Sequence, residues 1–323
     1  MTEHSKITTD KARPIAEGGS LLERASGSFG LDALKPISPP RDLPAPAARA
    51  PQARSVATKV ASNPTRSPAV PPATRASKVT FSGPRQAVDR DLLRENGIID
   101  SSGGVTELLE EFRIVRRELL GDARENGSAE GRRILVCSPH PGEGKTYCAT
   151  NLAIAMAAER GIEVLLIDAD FAKPSIPGLL GISPGKGLMD CLADPSLAPE
   201  SLVIATDIEG LFVLPAGNRT TRDTEYLGSA RTRDVLDRLT ADAPDRIVIF
   251  DTPPALAASP AAELAKHVGQ SLLIVRADVT GQSALEDAYQ LLSACPDIKL
   301  LLNGTHYSPS GRSFGSYAGY GSE

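Results

Sequence analysis

From residue 133 onward the chain carries short, continuous apolar runs, each closed by a polar or turn-forming residue: RILVCS from Arg133, EVLLID from Glu163, LFVLPAG from Leu211, RIVIFD from Arg246, SLLIVRA from Ser271 and IKLLLNG from Ile298. A run without polar alternation is what a strand covered on both faces requires, because neither side of it meets water. Between these runs the spacing changes to threes and fours. In VTELLEEFRIVRRELLGDA, residues 105–123, Leu108, Leu109, Phe112, Val115, Leu119 and Leu120 recur at helical intervals. Helices are also predicted from Lys145 until Gly161 can cap the chain, over 226–240 and over 284–294, with short helical pieces from Gly178 toward Leu214. Strands alternating with helices predict an α/β fold: a mostly parallel sheet with helices on both faces.

Composition changes this reading at both ends. Up to residue 104 the chain holds 12 of its 26 prolines, and 15 Lys and Arg against 10 Asp and Glu; the rest is net acidic at 20 against 30. So proline-rich and weakly apolar a stretch cannot bury enough surface to offset its ordering entropy. Residues 1–104 are therefore expected to be a disordered arm, with one short helix near Leu21 to Leu34. Its mild positive charge suits a solvated linker, or contact with anionic lipid or an acidic partner. Residues 105–306 form the expected folded domain, and the Gly/Ser-rich residues 307–323 a flexible tail. That tail holds Tyr307, Tyr317 and Tyr320, three of only six tyrosines. No apolar run is long enough for a membrane span and no signal-peptide core opens the chain, so a cytoplasmic protein is expected. Four cysteines without C-x-x-C spacing read as small buried hydrophobes, and four scattered histidines give no metal pattern.

The chemistry starts where the first run ends. Ser138-PHPGEGKT enters an Ala-rich helix, a strand–loop–helix sequence in which Pro141, Gly142, Glu143, Gly144, Lys145, Thr146 and Tyr147 are the candidate nucleotide contacts. Glycines let backbone N–H groups close around phosphate oxygens at a helix N-terminus. Lys145 can reach the β- and γ-phosphates of ATP, and the Thr146 hydroxyl can hold Mg²⁺. Pro139 stands where the strict G-x-x-x-x-G-K-[ST] pattern has its first Gly, so neighbouring motifs must carry the assignment. They do so at two strand ends. Asp168 and Asp170 follow the second run and Asp251 follows the fourth, at the edge where open α/β sheets place their ligands. Asn303, at the end of the last run, is a candidate for contacting the base. Glu110, Arg113 and Arg116 line a polar helix face that either pairs with itself or engages a neighbouring subunit.

PHPGEGKT, LLIDAD and IVIFDTPP, followed by a tyrosine-bearing tail, resemble the bacterial tyrosine autokinases of exopolysaccharide synthesis, a branch of the P-loop NTPases related to MinD and ParA. DADFAKP and DRIVIFDTPP are most similar to the type associated with exosortase and PEP-CTERM loci. The resemblance, covering residues 105–304, implies the following. Lys145 and Thr146 bind phosphates and Mg²⁺, Asp168 and Asp251 complete the metal site, and Asp168, supported by Asp170, accepts the tyrosine proton. Glu110, Arg113 and Arg116 match the helix through which subunits form a ring, each offering its tail tyrosines to its neighbour. A membrane chain-length adaptor would activate the kinase and hold it at the inner membrane; no nucleic-acid partner is implied. Ala172 stands where the family often carries Arg, with Lys173 next to it. Two rival readings are a MinD- or ParA-like switch ATPase, whose signature lysine is replaced here by His140, and a nucleotide-binding scaffold of a polysaccharide assembly complex.

Overall fold

The computed structural model describes residues 78–100 and 103–305. The expected helix near residues 21–34 and all three tail tyrosines lie outside this range. Among the described residues one sheet has eight strands: β1 (Arg85–Gln86), β2 (Arg133–Cys137), β3 (Glu163–Asp168), β4 (Ile204–Thr206), β5 (Leu211–Leu214), β6 (Arg246–Asp251), β7 (Gln270–Arg276) and β8 (Ile298–Asn303). Their order is β1-β4-β5-β3-β6-β2-β7-β8. From β5 to β8 every pair is parallel; β4 runs antiparallel to β5, and β1 is parallel to β4.

The helices are α1 (Arg90–Glu95), α2 (Glu107–Asn126), α3 (Lys145–Ala157), α4 (Ile176–Leu180), α5 (Leu188–Ala193), α6 (Asp223–Leu227), α7 (Ala230–Thr240), α8 (Pro260–Ala265) and α9 (Gln282–Leu291). Both faces of the sheet are covered, which explains the continuous apolar runs. Ile134, Val136, Val164, Leu166, Ile247 and Ile249 face one core, shared with Leu93 of α1, Phe112 and Leu119 of α2 and Leu152 of α3. Leu135, Leu165, Ile167, Val248 and Phe250 face the other, with Leu188 of α5, Leu236 of α7, Leu264 of α8 and Ala288 of α9. Because the side-chain period of a strand is two, alternate residues of one run supply both cores.

Two sequence expectations change. Residues 78–100, assigned by composition to the disordered arm, belong to the folded unit: Val88, Leu93, Ile98 and Ile99 are buried. Proline content averaged over a hundred residues hides this local cluster. Asp89 caps α1 by accepting the N–H groups of Asp91 and Leu92, both at 3.0 Å, and β1 extends the sheet beside β4. The single helix over 226–240 is two, α6 and α7, parted at Gly228 and Ser229, where the Ser229 hydroxyl donates to the Tyr226 carbonyl at 2.6 Å. Leu93 is fully buried, so Leu93→Ala should destabilise the protein by about 2–5 kcal/mol in urea unfolding. An unchanged midpoint would mean that this segment does not contribute to the fold.

Candidate functional site

β2 feeds a loop, residues 138–144, that turns the chain into α3. Gly142 and Gly144 adopt φ of 79° and 96°, the left-handed region that a side chain disfavours. Gly144 is restricted twice over, since a Cβ there would lie 2.1 Å from Asn303 Nδ2.

The loop is braced from the strands beside it. Asn303 Nδ2 donates to the Glu143 carbonyl at 2.9 Å, and an Arg276 guanidinium N–H donates to the Gly142 carbonyl at 3.1 Å. The Ala255 N–H donates to the Ser138 carbonyl at 2.8 Å. The Glu143 carboxylate is buried; it accepts the His140 N–H at 2.7 Å and the Thr280 hydroxyl. These contacts fix the loop before any ligand arrives, as electrostatic preorganisation requires.

At the first turn of α3, Lys145 Nζ donates to Asp170 Oδ2 at 2.9 Å and the Thr146 hydroxyl donates to Asp251 Oδ2 at 2.7 Å. Asp168 and Asp251 are register partners on adjacent parallel strands, so pairing β3 with β6 brings both carboxylates to one sheet edge. Both are fully buried. Asp251 Oδ1 has no hydrogen-bond partner among the described residues. Asp168 Oδ2 accepts the N–H groups of Ser175 and Ile176 at 2.9 and 3.0 Å, and Oδ1 accepts that of Asp170 at 3.3 Å.

Burial shapes the charges. It pushes the Asp251 carboxyl up to about 7, against the pull of Lys145 and the Thr146 hydrogen bond and with the repulsion of Asp168 and Asp170. It likewise pushes Asp168 up to about 6, against its backbone donors. Burial disfavours the Lys145 ammonium, but the charge of Asp251 and the hydrogen bond and charge of Asp170 outweigh it, so its pKa is raised. The result is a retained cation facing two carboxylates that hold protons unusually firmly.

Lys145, Thr146, Asp168, Asp170 and Asp251 therefore converge as the sequence predicts, with Pro141 and Gly142 exposed on the loop above them. Three further sets of candidate residues have partners of their own. The Asn303 amide is engaged at both ends, its oxygen accepting the Gly304 N–H at 2.9 Å, and it braces the loop. The Tyr147 ring joins the apolar side of α3. Arg116 is held within its own chain, donating to the Ala155 carbonyl at 2.9 Å and pairing with Glu159 at 3.0 Å, near the negative end of α3; Glu110 and Arg113 pair with each other. Missed altogether are the Glu143–Thr280 contact and Arg276. The usable signal for Arg276 was its position at the end of an apolar run, which Asp168, Asp251 and Asn303 share.

Residues 131–208 match a family model described as ParA, the NUBPL iron-transfer P-loop NTPase. The chain is 32% identical over 179 residues to tyrosine-protein kinase YwqD of Bacillus subtilis (strain 168), covering 55% of this chain and 74% of that protein. It is 29% identical over 159 residues to tyrosine-protein kinase ptk of Acinetobacter johnsonii, covering 49% of this chain but only 21% of that longer protein. Among solved structures, the kinase domain of the Escherichia coli tyrosine kinase ETK matches with a TM-score of 0.56 at 24% identity, over 72% of this chain and 91% of that one, a likeness of fold. No helix among the described residues is long and apolar enough to cross a membrane.

Proposed function

The chain belongs to the bacterial tyrosine-protein kinase family, and from that premise we propose that it transfers the γ-phosphoryl group of ATP to tyrosines in the C-terminal tail of a neighbouring copy. Tyr317 and Tyr320 are the preferred acceptors and Tyr307 a further one. The observation that carries this reading is the pairing of Lys145 with Asp170 and of Thr146 with Asp251 beside Asp168. Phosphoryl transfer depends chiefly on position and charge. Lys145 exchanges Asp170 for the β- and γ-phosphates.

The residues suit Mg²⁺. Among the described residues Asp251 Oδ1 is a buried oxygen without a partner, and the Thr146 hydroxyl lies beside the same carboxylate. Among the described residues no three His, Cys, Asp or Glu form a ready-made metal cage, which agrees with an ion that takes one or two protein oxygens and completes its shell with phosphates and water. Thr146 and Asp251 would hold it, with Asp168 adjacent. When bound, Mg²⁺ neutralises charge on the phosphates.

In the reaction the tyrosine Oη attacks the γ-phosphorus and the bond to the β,γ-bridging oxygen breaks, releasing ADP. The phenolic proton passes to Asp168 and then to water. Three backbone N–H groups occupy Asp168, leaving about one of a carboxylate's roughly four lone-pair positions free for that proton.

In the cell this activity would regulate exopolysaccharide polymerisation and export, in a kinase of the exosortase-associated type, bound peripherally at the inner membrane by a chain-length adaptor. Subunits would assemble in a ring, with Glu110 and Arg113 the more exposed part of the contact row. The test is mass-spectrometric mapping of phosphate after incubation with Mg-ATP, with and without the adaptor's cytoplasmic segment. Phosphate on Tyr317 or Tyr320 is expected. Release of free phosphate with every tyrosine unmodified would favour the switch-ATPase reading.

A further inference from the structure

Beside the carboxylates runs a shallow groove of about 500 Å³. Two of its lining residues belong to the constellation above: Thr146, whose hydroxyl bonds Asp251, and Ser175, whose N–H bonds Asp168. Its remaining walls are Leu92 of α1 and Asn96 at its C-terminal cap, Tyr147 of α3, and Gly178 and Leu179 of α4. One aromatic and two aliphatic side chains thus stand beside Thr146 and Ser175, the residues that bond Asp251 and Asp168. The outer wall comes from the segment ahead of α2. It is tied to the phosphate-loop helix by a relay in which the Ile99 N–H donates to Asn151 Oδ1 at 2.8 Å and Asn151 Nδ2 donates to the Tyr147 carbonyl at 3.0 Å.

We propose that this groove is the acceptor subsite, taking the ring of Tyr317 or Tyr320 from a neighbouring subunit's tail between Leu92, Tyr147 and Leu179, with its hydroxyl directed to Asp168. The inference rests on the kinase reading and adds to it the groove and the role of α1. The apolar walls match a phenol ring, which gains most from burial against aliphatic and aromatic surface. Residues flanking the two tyrosines are Ser316, Ala318, Gly319 and Gly321, so no bulky neighbour blocks entry to a shallow site. The acceptor tyrosines also sit on a long tether. Asn303, the last residue of β8, touches the phosphate loop, and the 14 residues from there to Tyr317 span up to about 50 Å when extended.

Gly178→Leu tests the assignment. A Cβ at Gly178 meets no heavy atom within 4 Å and its backbone is not left-handed, so the fold should accept the side chain while the groove fills. Tail phosphorylation of the full chain should fall by about 100-fold with affinity for a fluorescent ATP analogue unchanged. A wild-type chain that labels no tyrosine even with the adaptor's cytoplasmic segment present would sink the kinase reading itself. If the wild type labels its tail and Gly178→Leu does so equally fast, the groove assignment is wrong. Should Gly178→Leu fold poorly, Leu92→Ala and Leu179→Ala decide with a synthetic peptide of residues 306–323 as substrate. A raised peptide KM with unchanged nucleotide affinity is expected, and an unchanged KM in both would overturn the proposal.

Discussion

Lys145→Ala is expected to abolish tail phosphorylation, by about 1000-fold or more, while leaving the fold in place. The side chain stands at the first position of α3 and among the described residues hydrogen-bonds Asp170 and the Thr146 hydroxyl, and alanine is the best helix former. The hydrogen bonds lost are those two polar ones. What disappears is the cation that meets the β- and γ-phosphates, where charge develops during transfer. Asp170 keeps the Lys173 N–H as a donor at 3.0 Å, so the loop after β3 retains an anchor. Far-ultraviolet circular dichroism should be unchanged, nucleotide affinity reduced and phosphotyrosine absent. Lys145→Arg should fail as well, because a forked, planar guanidinium does not replace a compact ammonium in a space already shaped around Asp170. Phosphorylation within tenfold of the parent in the alanine variant would remove Lys145 from the mechanism.

The strand ends were legible because they obey a rule that acts residue by residue: a strand buried on both faces must be apolar throughout, so the first carboxylate after it marks the ligand edge. RIVIFD and EVLLID put Asp251 and Asp168 there without knowledge of partners, and the observed register aligns the two. The loop glycines were legible for a similar reason. Other features depend on distant parts of the chain. That Asn303 would brace Glu143, 160 positions away, or that Arg116 would reach the end of α3, is set by how helices settle on the sheet, and local spacing carries no trace of it. The arm was misjudged at its end because four buried residues, Val88, Leu93, Ile98 and Ile99, are diluted in a proline-rich average. Their pattern, read over a dozen residues, is that of a capped turn of helix followed by an apolar strap.

In magnesium-free buffer, Asp251→Asn should make the protein more stable at about pH 8 and remove most of the dependence of its stability on pH. Burial raises the Asp251 carboxyl to about 7 and that of Asp168 to about 6, whereas both ionise near 3.9 in the unfolded chain. Between those values the folded state holds protons that the unfolded state has released. Stability without ligand is therefore greatest at about pH 4, falls as pH rises toward 7, and levels beyond it. For Asp251 the loss is bounded at roughly 4 kcal/mol, less any relaxation of the site. Asparagine removes that share and leaves the smaller fall due to Asp168, which ends near pH 6. Its amide N–H would occupy the place of the unpartnered Oδ1, a buried unmet donor that offsets the gain by about 1–3 kcal/mol. Mg-ATP should reverse the order, since a bound cation favours the ionised carboxylate. The parent should then gain melting temperature at about pH 8, and Asp251→Asn should gain little and phosphorylate no tyrosine. Melting curves at about pH 5 and about pH 8, with and without Mg-ATP, separate these cases. Equal stability of the ligand-free parent at both values would show that Asp251 is not held protonated by burial, and its unpartnered oxygen would then need a permanent partner.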